Sequence, residues 1–109
     1  LKPGETKTIA TGVKVNMNID EMLMIVIRSS LGFKYNTRMC NQIGIVESDY
    51  YNNPDNDGHL FVKIQNQGTI DLIIKKGDRI CQGIFVKFLT VDNEEEIKNR
   101  RTSGIGSTN

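Results

Sequence analysis

The sequence predicts an all-β domain, a barrel or sandwich of short strands. Three observations carry this. Apolar and polar residues alternate with period two in several stretches. Clusters of Gly, Pro and Asn punctuate the chain at short, regular intervals. No amphipathic helix of useful length is apparent in the 109 residues.

In chain order, Lys2-Pro3-Gly4-Glu5 reads as a turn, with Pro and Gly placed for it. Val13, Val15, Met17 and Ile19 alternate with Lys14, Asn16 and Asn18, which predicts a strand with one wet face. Met22 to Ile27 is a continuous apolar run, too short for a stable helix and suited to a strand buried on both faces. Met39 to Val46 predicts another apolar strand. Residues 51–58 (YNNPDNDG) are dense in turn formers and predict a loop. Leu60, Val62 and Ile64 then alternate with Phe61, Lys63 and Gln65. Thr69 to Ile74 follows, Lys76-Gly77-Asp78 is a tight turn, and Arg79 to Leu89 is the last strand. Glu94 to Arg101 (EEEIKNRR) is a short helical turn or, as a charge run, a solvated linker, and Arg101 to Asn109 is a tail of Gly, Ser and Thr with one Ile. The domain is expected over 1–93 and a C-terminal arm over 94–109.

Lys and Arg total 14 and Asp and Glu 13, a formal charge of +1. That argues against a nucleic-acid surface driven by bulk charge. Tryptophan is absent and aromatics are 6%, with no stacking stripe for a single strand. No apolar run approaches the about 18–20 residues that cross a bilayer as a helix. The hydrophobic fraction of 38% makes a lean core for a short chain, so oligomerisation is expected. Cys40 and Cys81 lie far apart and form no C-x-x-C pair, and His59 is the single histidine. Two reduced thiols in a cytoplasmic protein, with no protein-ligated transition metal, is the expected reading.

Four segments carry residues that a plain β domain does not need. Arg28-Ser29-Ser30 ends the apolar run with a guanidinium and two hydroxyls, either a phosphate cradle or a solvated turn with a capping serine. Asn41 to Tyr50 (NQIGIVESDY) is a short apolar hairpin followed by Glu47, Asp49 and a tyrosine. Its backbone groups could read a base edge and a carboxylate could act on water, or it is a polar strand end. Gln82 shares a strand face with Ile80, Ile84 and Val86, so a buried amide is expected, satisfying backbone or holding a water or ligand. Arg101 to Thr108 (RTSGIGST) is suited to closing over an anion or is a disordered end.

In this order these segments resemble the trimeric all-β deoxyuridine triphosphatases (dUTPases) along nearly the whole chain. RSSLGFK, NQIGIVESDYYNN, GDRICQ and RTSGIGST look like four successive family motifs. The NNPDNDGH stretch is similar to a loop insertion of one bacterial branch. The resemblance implies a jelly-roll-like β-clip barrel of short strands with a flexible C-terminal tail. It implies a homotrimer with active sites shared between subunits, no nucleic-acid or membrane partner, and Mg²⁺ carried on the substrate triphosphate. The implied reaction is hydrolysis of dUTP to dUMP and pyrophosphate, by water attack at the α-phosphorus, in nucleotide metabolism.

Residue by residue, the resemblance implies that Arg28, Ser29 and Ser30 contact phosphate. Asn41, Gly44, Ile45 and Val46 would read uracil, with the Phe61 backbone contributing. Tyr50 would pack on the deoxyribose and leave no room for a 2′-hydroxyl. Glu47 and Gln82 would be catalytic, acting on the attacking water. Arg101, Gly104, Ile105, Gly106, Ser107 and Thr108 of a neighbouring subunit would close the site. From Leu89 to Asn109 the chain can span roughly 66 Å, enough to cross between subunits.

This sequence departs from the family pattern in three ways. The Ala-Gly-x-Asp type segment that precedes Lys2 in the family is absent, as in a chain trimmed at its start. Glu47 stands where the family has aspartate, which shifts the carboxylate by roughly 1 Å, and a shift of that order can cost about a hundredfold in rate. Ile105 stands where the tail usually carries an aromatic, and Ser103 replaces a usual glycine. These departures leave open an alternative, a catalytically weakened dUTPase-fold protein that binds nucleotide or serves a regulatory role. The related dCTP deaminases are a third reading, which GDRICQ and the glycine-rich tail fit less well.

Overall fold

The computed structural model of the chain describes residues 1–91, so the arm expected at 94–109 lies outside the described residues. Among the described residues six strands form two antiparallel three-stranded sheets. Strands β1 (Thr6–Ala10), β5 (Phe61–Asn66) and β3 (Thr37–Met39) make one sheet in the order β1-β5-β3. Strands β4 (Gly44–Glu47), β2 (Glu21–Ile27) and β6 (Cys81–Lys87) make the other, with β2 central. An α-helix, α1 (Ser29–Tyr35), follows β2, and a 3₁₀ turn spans Ser48–Tyr50.

The core lies where the two sheets face each other. β2 contributes Leu23 and Ile25, β3 Met39, and β5 Val62 and Ile64, with Leu60 just before it. Each such side chain stabilises the fold by about 1.5–3 kcal/mol through burial. Asn66 is fully buried and satisfied: its Nδ2 donates to the carbonyls of Leu1 and Ile70, both at 2.9 Å, and its Oδ1 accepts the Gly68 N–H. One amide thereby ties the chain start and the turn after β5 to the sheet.

Several predicted elements take a different form. The alternating stretch Val13–Ile19 is not a strand: it crosses as an unpaired segment, with Val15 and Met17 packed on the core and Ile19 exposed. The first strand is Thr6–Ala10, whose inward side chain is Ile9 alone, too weak a pattern to register. The predicted strand Met39–Val46 is two strands in different sheets. Between them the chain turns through Gln42 at φ 67°, its N–H bonded to the Met39 carbonyl. Thr69–Ile74 pairs with no strand of the described chain, although Leu72 is buried and exchanges backbone bonds with Leu1.

A short helix also forms where none was expected. Its seven residues bury only Leu31, so the sequence shows no helical period. It ends at Asn36, left-handed at φ 51°, whose N–H bonds back to the Gly32 carbonyl. The β2 run is buried on one face only. Leu23 and Ile25 point into the core, while Met22, Met24 and Val26 are half-exposed.

Candidate active site

Register decides which motif residues meet. β4 pairs with β2 so that Glu47 lies beside Met22 and Gly44 beside Ile25. β4 is therefore an edge strand, and an edge strand turns half its backbone N–H and C=O groups away from its partner. Opposite that edge runs the start of β5. Between them opens a cleft of about 710 Å³, within the usual range for a small-molecule site.

Seven residues singled out in the sequence line this cleft: Asn41, Gly44, Ile45, Val46, Glu47, Tyr50 and Phe61. The apolar floor comes from Ile25, Met39, Leu60 and Val62, and Asp49 and Lys63 add charge at the rim. Gly44 lies against the cleft floor: a Cβ there would make ordinary contacts, 3.4 Å from Ile25 Cβ and 3.8 Å from Asn41 Nδ2. The Phe61 ring lies against His59, with centroids 4.5 Å apart, and His59 Nε2 accepts the Gly12 N–H at 3.0 Å. His59 thus braces the cleft wall. Sequence reading considered it only as a metal ligand, because its ring partner appears only in the fold. Arg38 was also missed. Its guanidinium donates to the Met39 and Cys40 carbonyls and to Gln65 Oε1, which fixes the approach to the hairpin.

Arg28, Ser29, Ser30 and Gln82 form a second group, away from the cleft. Gln82 pairs with Val26 and Cys81 with Ile27, while the Arg28 N–H bonds the Ile80 carbonyl. The Arg28 guanidinium reaches the Arg79 carbonyl at 3.4 Å. Ser29 and Ser30 begin α1, whose first turn has no side-chain cap. The expectation of a buried Gln82 is corrected: the side chain is exposed, because β6 is an edge strand and its outer face is uncovered in one chain.

Glu47 and Gln82 nonetheless share a sheet face. Cross-strand rows on it run Glu47–Met22–Val86, then Ile45–Met24–Ile84, then Val26–Gln82. Four residues along β2 and two strand spacings across separate the two, roughly 17 Å. Arg101, Gly104, Ile105, Gly106, Ser107 and Thr108 lie outside the described residues.

A second cavity, between β1 and residues 72–81, is lined by Gly77 to Cys81 of the GDRICQ segment but by none of the candidate site residues. Burial pushes the thiol of Cys81, on its wall, above its ordinary value, so the sulfur there is a protonated packing group at neutral pH. Among the described residues no three His, Cys, Asp or Glu side chains gather to hold a metal ion, and no helix is long and apolar enough to cross a membrane.

Fold and cleft together define a two-sheet antiparallel domain with a small-ligand cleft along a hairpin edge. Comparison with known proteins gives that class a family. The dUTPase family model matches residues 1–109. The deoxyuridine 5′-triphosphate nucleotidohydrolase of Lactococcus lactis is 44% identical over 107 residues, covering 97% of this chain and 71% of the relative. The like-named protein of Hamiltonella defensa is 33% identical, covering 97% and 70%. The crystal structure of dUTPase from Streptococcus mutans superimposes with a TM-score of 0.77 at 36% identity, covering 84% of this chain and 72% of that one. The chain belongs to the dUTPase family.

Proposed function

We propose that this protein is a dUTP diphosphatase of nucleotide metabolism in the cytoplasm, acting as a homotrimer with shared active sites. One observation carries the reading: six residues of the Asn41–Tyr50 motif, together with Phe61 from the facing strand, line one cleft beside an edge strand. In this reading the free edge of Gly44–Val46 hydrogen-bonds the uracil, with Asn41 and the Phe61 backbone completing the base pocket. Tyr50 packs on the deoxyribose. Glu47 orients the attacking water and accepts its proton. The new bond forms from water oxygen to the α-phosphorus, the bond from that phosphorus to the bridging oxygen breaks, and pyrophosphate leaves. Magnesium arrives with the substrate as Mg·dUTP and offsets the triphosphate charge.

The spacing of the motif residues supports sharing between copies. Arg28, Ser29, Ser30 and Gln82 reach the phosphates of a nucleotide in a neighbour's cleft, a reading supported by the roughly 17 Å of sheet between Glu47 and Gln82 of one chain. The sheet face between them carries Met22, Met24, Val26, Ile45, Ile84 and Val86, an apolar surface suited to a further copy. Arg101 and the glycine-rich residues through Thr108 then close over the phosphates.

A second reading, a nucleotide-binding module of weakened activity, is favoured by Glu47 and Ile105 at positions where the family has aspartate and an aromatic. A pyrophosphate-release assay with dUTP, dCTP, dTTP and UTP, with and without Mg²⁺, separates the two. Turnover of dUTP alone is the expected outcome. Tight dUTP binding without pyrophosphate supports the second reading, and ammonia release from dCTP defeats both.

A further inference from the structure

The segment from Tyr50 to Gly58 is a closed hydrogen-bonded unit built onto one side of the cleft. The Tyr50 hydroxyl donates to the His59 carbonyl at 3.0 Å and accepts from Asn56 Nδ2 at 2.8 Å. Asn56 Oδ1 accepts from Asn53 Nδ2 at 2.8 Å and from the Gly58 N–H at 3.1 Å. Asn53 Nδ2 also donates to the Tyr50 carbonyl at 2.7 Å, and its Oδ1 accepts the N–H groups of Asp55 and Asn56. Across the base of the loop, Lys14 Nζ donates to Asn52 Oδ1 at 2.6 Å and Asp57 Oδ2 at 2.9 Å. The loop closes through left-handed backbone at Asn52 and Asp57, and at Gly58, where a Cβ would sit 2.8 Å from the Asn52 nitrogen.

We infer that Asn56 is a positioning residue for sugar selection: through this loop it fixes the depth and tilt of the Tyr50 ring that the 2′ face of the nucleotide meets. The inference rests on the dUTP reading of the cleft. A tyrosine held only by its backbone swings about two side-chain torsions. Here both ends are held, the carbonyl by Asn53 and the hydroxyl by Asn56 and His59. Shape alone discriminates weakly against an added hydroxyl when the wall can yield, so wall stiffness sets the ratio between deoxyribo- and ribonucleotide. The loop supplies that stiffness without touching the ligand itself.

The test compares the unaltered protein with Asn56→Ala, Tyr50→Phe and the double variant. Steady-state pyrophosphate release from dUTP and UTP gives the ratio of kcat/KM values, and calorimetric titration with dUDP and UDP gives the same discrimination without turnover. Each single change is expected to lower the preference for the deoxy form about fivefold to twentyfold, mainly by tightening UTP and UDP. The double variant is expected to lose little more than the larger single, since the Asn56–Tyr50 bond is removed by both changes. Unchanged preference in both singles overturns the inference, and so do additive losses. Tyr50→Phe keeps the ring and every Asn53–Asn56 bond, so it decides alone if Asn56→Ala does not fold. Absent turnover with intact dUDP-over-UDP preference refutes the activity reading and leaves the titration to decide this one. Binding of neither nucleotide defeats both.

Discussion

The hairpin side of the molecule and the Arg28–Gln82 side are built in opposite ways. Around Tyr50 the hydroxyl and the two asparagine amides are committed: Asn53, Asn56, His59 and Lys14 form a continuous set of bonds. At the far end of β2, Arg28 makes one long contact to a carbonyl, and Ser29 and Gln82 are exposed. The difference teaches which part of recognition one chain completes. In the proposed function, base and sugar meet a wall whose hydrogen bonds are already made within the chain. The groups proposed for phosphate are left largely uncommitted within the chain, which fits the proposal that their partners come from another copy and from the substrate.

The sharpest way to break that comparison is complementation. Glu47→Ala and Gln82→Ala alone are each expected to lower kcat about 10²–10⁴-fold. Denaturing and refolding the two variants together should then restore activity that neither shows alone, because some mixed sites hold an intact Glu47 and an intact Gln82. No recovery in a verified mixed oligomer would place both residues in one chain's site. Truncation before Arg100 comes next, with turnover expected to fall about a hundredfold while the melting temperature stays within about 2 °C. A large drop in melting temperature would instead make the arm part of the folded core's support.

Glu47→Asp shortens the side chain to the family's length, and turnover is expected to rise, at most about a hundredfold. Equal or lower steady-state activity would show that this cleft is shaped around glutamate. The smallest effect contrasts two turns. Gly58→Ala places a Cβ against backbone atoms of Tyr51 and Asn52 at positive φ, and about 1–3 kcal/mol of stability should be lost, with a raised KM for dUTP. Gly77→Ala meets nothing within 4 Å, and only the left-handed strain remains, about 1 kcal/mol with KM unchanged. Denaturant melts of both variants check the order. Equal losses would mean the loop beside Tyr50 is no stiffer than an open turn.

Much of the fold was legible. The runs at 22–27 and 60–65 are strands because period-two or continuous apolar patterns act locally, and the turn formers at 51–58 are a loop for the same reason. Val13–Ile19 has the pattern and is not a strand, since a ladder needs a partner as well as an alternation. Thr6–Ala10 has one inward apolar residue and is a strand because β5 offers it an edge. Likewise Gln82 carries the sequence mark of a buried amide, yet its strand lies at a sheet edge that one chain leaves open.

By itself, then, the sequence determined the all-β class, the hairpin and loop that flank the cleft, and the motif residues that give the family. Those are short-range properties: alternation, turn chemistry and residue type at fixed spacing. Only the tertiary structure decided that Asn41, Glu47, Tyr50 and Phe61 meet while Gln82 stands apart. It also decided that Asn56 and His59, plain loop residues in the sequence, hold the Tyr50 ring. Sheet register and the crossing of chain from one sheet to the other are set by contacts between distant segments, and a one-residue slip would turn each strand's side chains to the opposite face.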